Sequence, residues 1–265
     1  MSCARIHPTA IIDPAARLAT DVTVGPYAVI DGPVELGPGC IVQAHTRLIG
    51  PVTLGARNVV HTGAVLGDRP QHTRFDGQTT GVVAGTDNVF REHVTVHSGM
   101  ADGGTRIGDR NYFMASSHVA HDCSIGDTCI LANGALLAGH CTVGDGAFLS
   151  GCVLIHQYTR IGRLALLSGG ATATQDIPPF MIHEGRNRIV AVNVIGLRRA
   201  GLNTAQIDAI RQAYRLMSQP GVMLPMAVEQ IHRQLGQVDV VAELVTFIRA
   251  SKRGVASATS YGAAA

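Results

Sequence analysis

The chain has 265 residues, a formal charge of +2, 46% hydrophobic and 4% aromatic residues, no tryptophan and 31 glycines. That charge argues against a strongly basic nucleic-acid binder, and no apolar run reaches the length of a membrane-crossing helix. So few aromatics and so many glycines suit a core of stacked aliphatic side chains between tight corners.

Met1-Ser2-Cys3-Ala4-Arg5 precede the first apolar position without a hydrophobic leader, so a cytoplasmic protein is expected. Apolar residues then recur at every sixth position: Ile6, Ile12, Leu18, Val24, Ile30, Leu36, Val42, Leu48, Leu54, Val60 and Leu66. This period fits neither a helix nor a simple alternating strand. It fits short strands wound around a three-sided coil, where eighteen residues return the chain to the same face about 4.8 Å higher. Residues eighteen apart are then stacked neighbours. Glycine often follows the ladder residue, as at Gly25, Gly37, Gly55, Gly67, Gly126, Gly144 and Gly162, where the coil turns and a Cβ would clash. Cys40, Cys123, Cys129 and Cys141 fall two positions before a ladder residue and read as small buried thiols. No C-x-x-C pair gives them zinc spacing.

Two polar, turn-rich stretches interrupt the wall near 68–83 and 98–106, with ladder positions Ala84, Phe90 and Val96 between them. Both read as external loops on a rigid scaffold, a common location for binding residues. The period resumes from Ile107 to Ala173 and stops at Gln175-Asp176-Ile177-Pro178-Pro179-Phe180, because consecutive prolines cannot continue a central strand. After a linker, Asn203-Thr204-Ala205-Gln206 resembles a capping box and opens a helix through Ile207, Ile210, Ala213, Tyr214 and Met217. Ala227 to Leu235 and Val238 to Ile248 read as two more amphipathic helices, and the small, polar stretch from Ser251 is expected to fray. The expected organisation is a β-coil over residues 1–182, a helical domain over 183–252 and a flexible tail over 253–265.

One stretch of the wall carries chemistry: Ser117-His118-Val119-Ala120-His121-Asp122-Cys123. Imidazole titrates near neutrality, so His121 suits a general base. Asp122 could take a hydrogen bond from its other ring nitrogen and fix the tautomer. Gly139, eighteen residues on, stacks above His121, and its N–H could approach a carbonyl oxygen closely as an oxyanion donor. The bland alternative is a histidine filling a corner.

The six-residue repeat is the hexapeptide signature of left-handed parallel β-helices, and the resemblance extends to local blocks. These are His7-Pro8-Thr9-Ala10-Ile11, His118-Val119-Ala120-His121-Asp122-Cys123, Leu131-Ala132-Asn133, Leu137-Ala138-Gly139-His140, His156-Gln157, Gln175-Asp176-Ile177-Pro178-Pro179 and Gly196-Leu197-Arg198-Arg199. Together they resemble the UDP-N-acetylglucosamine O-acyltransferases that begin lipid A synthesis. The resemblance implies a mainly β fold, a left-handed parallel β-helix with a C-terminal α-helical domain, assembled as a homotrimer with active sites between subunits. It implies acyl carrier protein as donor of a 3-hydroxyacyl group and UDP-N-acetylglucosamine as acceptor, with no metal or cofactor taking part. His121 matches the base and Gly139 the oxyanion donor.

His97, His118, His140, His156 and Gln157 match cleft positions of the family. In the first loop Gln71 matches a substrate contact, Arg74 replaces the family's lysine and keeps its charge, and His72 stands where aspartate is usual. Asn193 and Arg199 match nucleotide-binding positions, whereas Ile195 and Ala200 depart from an acidic and a basic residue. Gly169 matches the acyl-length ruler, with Leu166 nearby, and a glycine there leaves depth for a longer chain unless a corner requires it. Arg198, Arg199 and Arg211 form a candidate basic surface for the acidic carrier protein. A paralogue acylating another sugar nucleotide, such as a 3-amino sugar, is the alternative, with a zinc lyase or a non-catalytic scaffold behind it. The zinc enzymes of this fold use His-x4-His, and this chain has His-x2-His.

Overall fold

The structure, a computed structural model, describes residues 4–258. Strands of two to four residues wind into three parallel sheets that form the sides of a left-handed β-helix. Sequence neighbours lie on different sides, while stacked strands are hydrogen-bonded at the expected eighteen-residue step, as in Tyr112↔Ile130↔Phe148↔Leu166 and His118↔Leu136↔Leu154. The two insertions lengthen that step, Val65 pairing with Thr95 and Thr95 with His118, and the first is accompanied by a β-bulge between Leu66 and Asp68.

The ladder residues fill the axis. Val24, Val42, Val60, Phe90, Phe113, Leu131, Leu149 and Leu167 are all buried, and Phe90 and Phe113 stack at 4.9 Å. The steric reading of the corner glycines holds: a Cβ on Gly37 would lie 2.7 Å from the Gly55 carbonyl, closer than folded chains tolerate. The buried cysteines repeat one device. Cys40, Cys123, Cys129 and Cys141 each donate a thiol bond to a carbonyl fifteen residues on, in the adjoining coil, at 3.0–3.3 Å. Asn58, Asn88 and Asn111 occupy equivalent places and form a buried amide ladder, with Asn88 Oδ1 accepting from the Asn111 N–H at 2.9 Å. These bonds satisfy corner groups that burial would otherwise leave unpaired.

The C-terminal region departs from the expectation in two ways. The linker after the prolines is a hairpin, Met181–Glu184 against Arg188–Val192, which extends the longest sheet of the coil. The expected boundary at 182/183 therefore cuts a strand. Four helices follow: α1 (Val194–Arg199), α2 (Thr204–Met217), α3 (Leu224–Leu235) and α4 (Asp239–Arg249). The capping box of α2 is present in full, with both Asn203 and Gln206 bonding back. Helix α3 starts before Ala227 because Pro225 fits a first helical turn. The helices are tied to the coil by Arg163, which grips Glu243 of α4 at 2.8 Å, and by Arg160, which bonds Asp176 at 2.8 Å and the Phe247 carbonyl at 2.7 Å.

The second departure is the tail. Residues 251–258 are pinned rather than frayed: Ser251 Oγ donates to Asp176, the Asp176 N–H donates to the Gly254 carbonyl, and Ser257–Ala258 pairs beside Arg188–Ile189. A small, polar sequence gives no periodic sign of such edge pairing. The expectation for residues 259–265 lies outside the described residues.

His183 shows how the spindle ends. It pairs with Leu167 and so takes the next rung of the core ladder, fully buried, with neither ring nitrogen hydrogen-bonded. Burial pushes its pKa down to about 4. The unfolded chain binds that proton near the ordinary histidine pKa of ~6.5, so stability present above that pH is lost as pH falls towards 4, by about 3 kcal/mol at most. The wild-type melting temperature is expected to fall between pH 7 and pH 4.5, and that of H183L to fall less. His118, also shifted to about 4 and chiefly by burial, leaves a residual slope in the variant. Equal falls in both proteins would contradict the assignment.

Candidate active site

Three successive coils turn one corner with residues in register. Ala120-His121-Asp122, Ala138-Gly139-His140 and His156-Gln157-Tyr158 stack through the bonds from the His140 N–H to the His121 carbonyl and from the Tyr158 N–H to the Gly139 carbonyl. Asp122, His140 and Tyr158 take the left-handed conformation, with φ of 59°, 60° and 63°, which aspartate and histidine tolerate better than most residues. A groove of about 350 Å³ runs along this corner, lined among others by Gln71, His72, His118, His121, Gly139 and Gln157.

His121 is 5% exposed, and its Nδ1 lies 2.7 Å from Asp122 Oδ2. The other carboxylate oxygen accepts the backbone N–H groups of Met100 and Ala101 at 3.0 and 2.9 Å, from the second loop. Burial pushes the Asp122 carboxyl up, but the bonds from His121, Ala101 and Met100 outweigh it and hold the pKa below the ordinary carboxylate value. An ionised Asp122 makes Nδ1 the protonated nitrogen and leaves a lone pair on Nε2. That Nε2 packs on Gly139: a Cβ there would sit 2.6 Å from both Nε2 and Cε1. The Gly139 N–H donates to no group among the described residues, so it is available to an oxyanion.

The remaining histidines surround this pair. His72 from the first loop and His140 from the next coil meet the His121 ring edge-on at 5.4 and 5.0 Å, and Tyr158 stacks on His140 at 4.4 Å. His118 lines the groove and shares a 2.7 Å hydrogen bond with Thr95. His97 lies behind it, 4.6 Å ring to ring, buried and with Nδ1 unpartnered. Burial lowers the pKa of His97, His118 and His140; Asp68 opposes it at His97 and Asp122 at His140, and neighbouring histidines add to it at all three. Donor atoms of His121, Asp122 and His140 lie within 4.8 Å of one another, close enough for a metal ion. A metal on His121 Nδ1 would have to displace the proton shared with Asp122, whereas the bonded pair as it stands is suited to moving a proton.

Other expected residues lie at the rim of the groove or away from it. Arg74 is exposed on the first loop, where its N–H bonds His72 Nδ1 at 3.2 Å, and its side chain does not line the groove. His156 is exposed beside Gln157. Asn193 caps α1 by accepting the Gly196 N–H at 3.0 Å, and Arg199 is exposed in the last turn of that helix. Gly169 has no corner to relieve: its φ is ordinary and a Cβ would meet only the Gly151 carbonyl, at 3.6 Å. Sequence reading missed Thr95, Met100, Ala101 and Tyr158. The eighteen-residue step from Asp122 through His140 points to Tyr158, whereas backbone donors leave no sequence signal.

A model of six bacterial transferase hexapeptide repeats matches residues 104–139, and the second domain of UDP-N-acetylglucosamine O-acyltransferase matches 176–256. Over 255 residues the chain is 40% identical to acyl-(acyl-carrier-protein)–UDP-N-acetylglucosamine O-acyltransferase of Syntrophobacter fumaroxidans, covering 95% of this chain and 99% of that protein. The Halorhodospira halophila enzyme of that name is 44% identical, over 95% and 98% of the two chains. The solved UDP-N-acetylglucosamine acyltransferase of Francisella novicida superposes with a TM-score of 0.92 at 30% identity, over 98% of both chains. With its coil, its corner of stacked imidazoles and these relatives along nearly its whole length, the chain belongs to the acyl-(acyl-carrier-protein)–UDP-N-acetylglucosamine O-acyltransferase family.

Proposed function

We propose that this chain transfers a 3-hydroxyacyl group from acyl carrier protein to the 3-hydroxyl of UDP-N-acetylglucosamine, the opening step of lipid A synthesis. The observation that carries this reading is His121, its Nδ1 bonded to Asp122 and its Nε2 packed on Gly139, in an open groove. Nε2 takes the proton of the sugar hydroxyl as that oxygen attacks the thioester carbonyl carbon. The Gly139 N–H holds the oxyanion that forms, and ionised Asp122 steadies the imidazolium. Collapse of the intermediate expels the carrier thiolate, which recovers the proton from His121 and leaves ester and thiol. Gln71, His72, His118 and Gln157, which line the groove, and His140 and His156 beside it serve as substrate contacts around the base; Arg74 would reach substrate from the first loop, and His97 acts from behind His118. Asn193 and Arg199 hold the nucleotide.

The working form in this proposal is a homotrimer. Leu136 and Leu154 line the groove yet are 40% and 45% exposed, an apolar strip that a neighbouring copy would cover. Cys40, Cys123, Cys129, Cys141 and Cys152 are all unbridged, which suits the reducing cytoplasm where carrier protein and sugar nucleotide occur. No described helix is long and apolar enough to cross a membrane.

A screen of sugar-nucleotide acceptors against carrier proteins of defined acyl length tests the reading. The expected result is turnover of UDP-N-acetylglucosamine with a long 3-hydroxyacyl donor; preference for a 3-amino acceptor would reassign the substrate. Because Gly169 has room for a side chain, G169M is expected to shorten the preferred acyl group and slow the longest donor about tenfold or more. Unchanged length preference in G169M would discard Gly169 as the ruler.

A further inference from the structure

Arg253 lies in the segment expected to fray, yet its guanidinium is fixed at both ends. Nε donates to the Thr174 carbonyl at 3.2 Å, and Nη2 lies 3.2 Å from His156 Nδ1. The backbone on either side is anchored as well. Ser251 Oγ bonds Asp176 at 2.8 Å, and the Asp176 N–H bonds the Gly254 carbonyl at 2.9 Å. A chain remote in sequence is therefore held against the third rung of the active-site corner, directly above Ala138 and next to Gln157 of the groove.

Guanidinium has donors and no acceptor, so a bond from Nη2 requires an unprotonated Nδ1 on His156. The neutral ring must then carry its hydrogen on Nε2. The same Nδ1 lies 3.2 Å from the Gln157 carbonyl, a contact that would favour the opposite tautomer if Arg253 were absent. Two neighbours thus compete for one nitrogen, and the charge-assisted donor is the stronger.

We propose that Arg253 is a positioning residue that holds His156 as the Nε2–H tautomer, so that His156 donates a hydrogen bond to an oxygen of the bound sugar nucleotide. This rests on the reading of His156 as a substrate contact. Arg253 itself touches His156 and the coil, not the reacting atoms.

The test uses the full-length protein with labelled histidine. Long-range proton–nitrogen NMR correlations report the protonated ring nitrogen, with His156 assigned by its disappearance in H156Q. The wild type is expected to show protonated Nε2 and bare Nδ1 at His156, R253A a shift towards the Nδ1–H form, and R253K recovery. R253M, which keeps the aliphatic stem, replaces R253A if the alanine variant does not fold. R253A is expected to raise KM for UDP-N-acetylglucosamine about fivefold with kcat within about twofold, the scale of one lost hydrogen bond. An unchanged His156 tautomer in R253A overturns the proposal, whatever the kinetics. A shifted tautomer with unchanged KM overturns instead the role of His156 as a substrate contact.

Discussion

H121A is expected to lose about 10³-fold or more in kcat while melting within a few degrees of the wild type. No other described group lining the groove combines a ring nitrogen packed on Gly139 with a carboxylate bonded to the opposite nitrogen. The neighbouring histidines do not substitute. His118 is held near 4, chiefly by burial, and already uses Nδ1 in its bond with Thr95, while His97 lies behind it. Because His121 lines the groove and is not a rung of the apolar ladder, truncation enlarges the groove rather than opening a cavity inside the coil. Acyl-transfer kinetics with carrier-bound donor, read beside thermal melts, check both parts. Retention of more than about a tenth of wild-type kcat would remove His121 as the base.

G139A is expected to cost about 10²-fold or more in kcat, although it adds only one methyl group. The new Cβ would lie 2.6 Å from His121 Nε2 and Cε1. Either the ring swings and strains its 2.7 Å bond to Asp122, or the corner shifts and carries the Gly139 N–H away from the oxyanion. Both responses damage the transition state more than sugar binding, so the loss should fall on kcat with KM changed little. The same kinetics with G139A check this, and wild-type kcat would show that base and amide do not act across that contact.

The coil was the most legible part of the molecule, because a core one side chain wide leaves no freedom in which positions are apolar. The same regularity made the pairing of His121 with Gly139 readable, since stacking follows from an eighteen-residue step and only glycine fits against the ring. What the pattern could not reveal lies where periodicity gives way to single hydrogen bonds. The support of Asp122 by Met100 and Ala101 comes from main-chain groups of a loop, which any sequence would supply. The hairpin at Met181–Val192 is too short and irregular to show a period, and its His183 hides a core rung under a polar residue. The anchoring of residues 251–258 depends on Asp176, far away in sequence and itself buried beneath Arg160. Asn193 matched the family as a nucleotide contact, and the fold also gives it a helix to cap.

The most direct measurement is a crystal structure of the protein with its acylated sugar-nucleotide product. The ester oxygen on the sugar should lie within about 3.2 Å of His121 Nε2, and the acyl carbonyl oxygen about 3 Å from the Gly139 nitrogen. A product seated with its ester out of hydrogen-bonding reach of both groups would contradict the account.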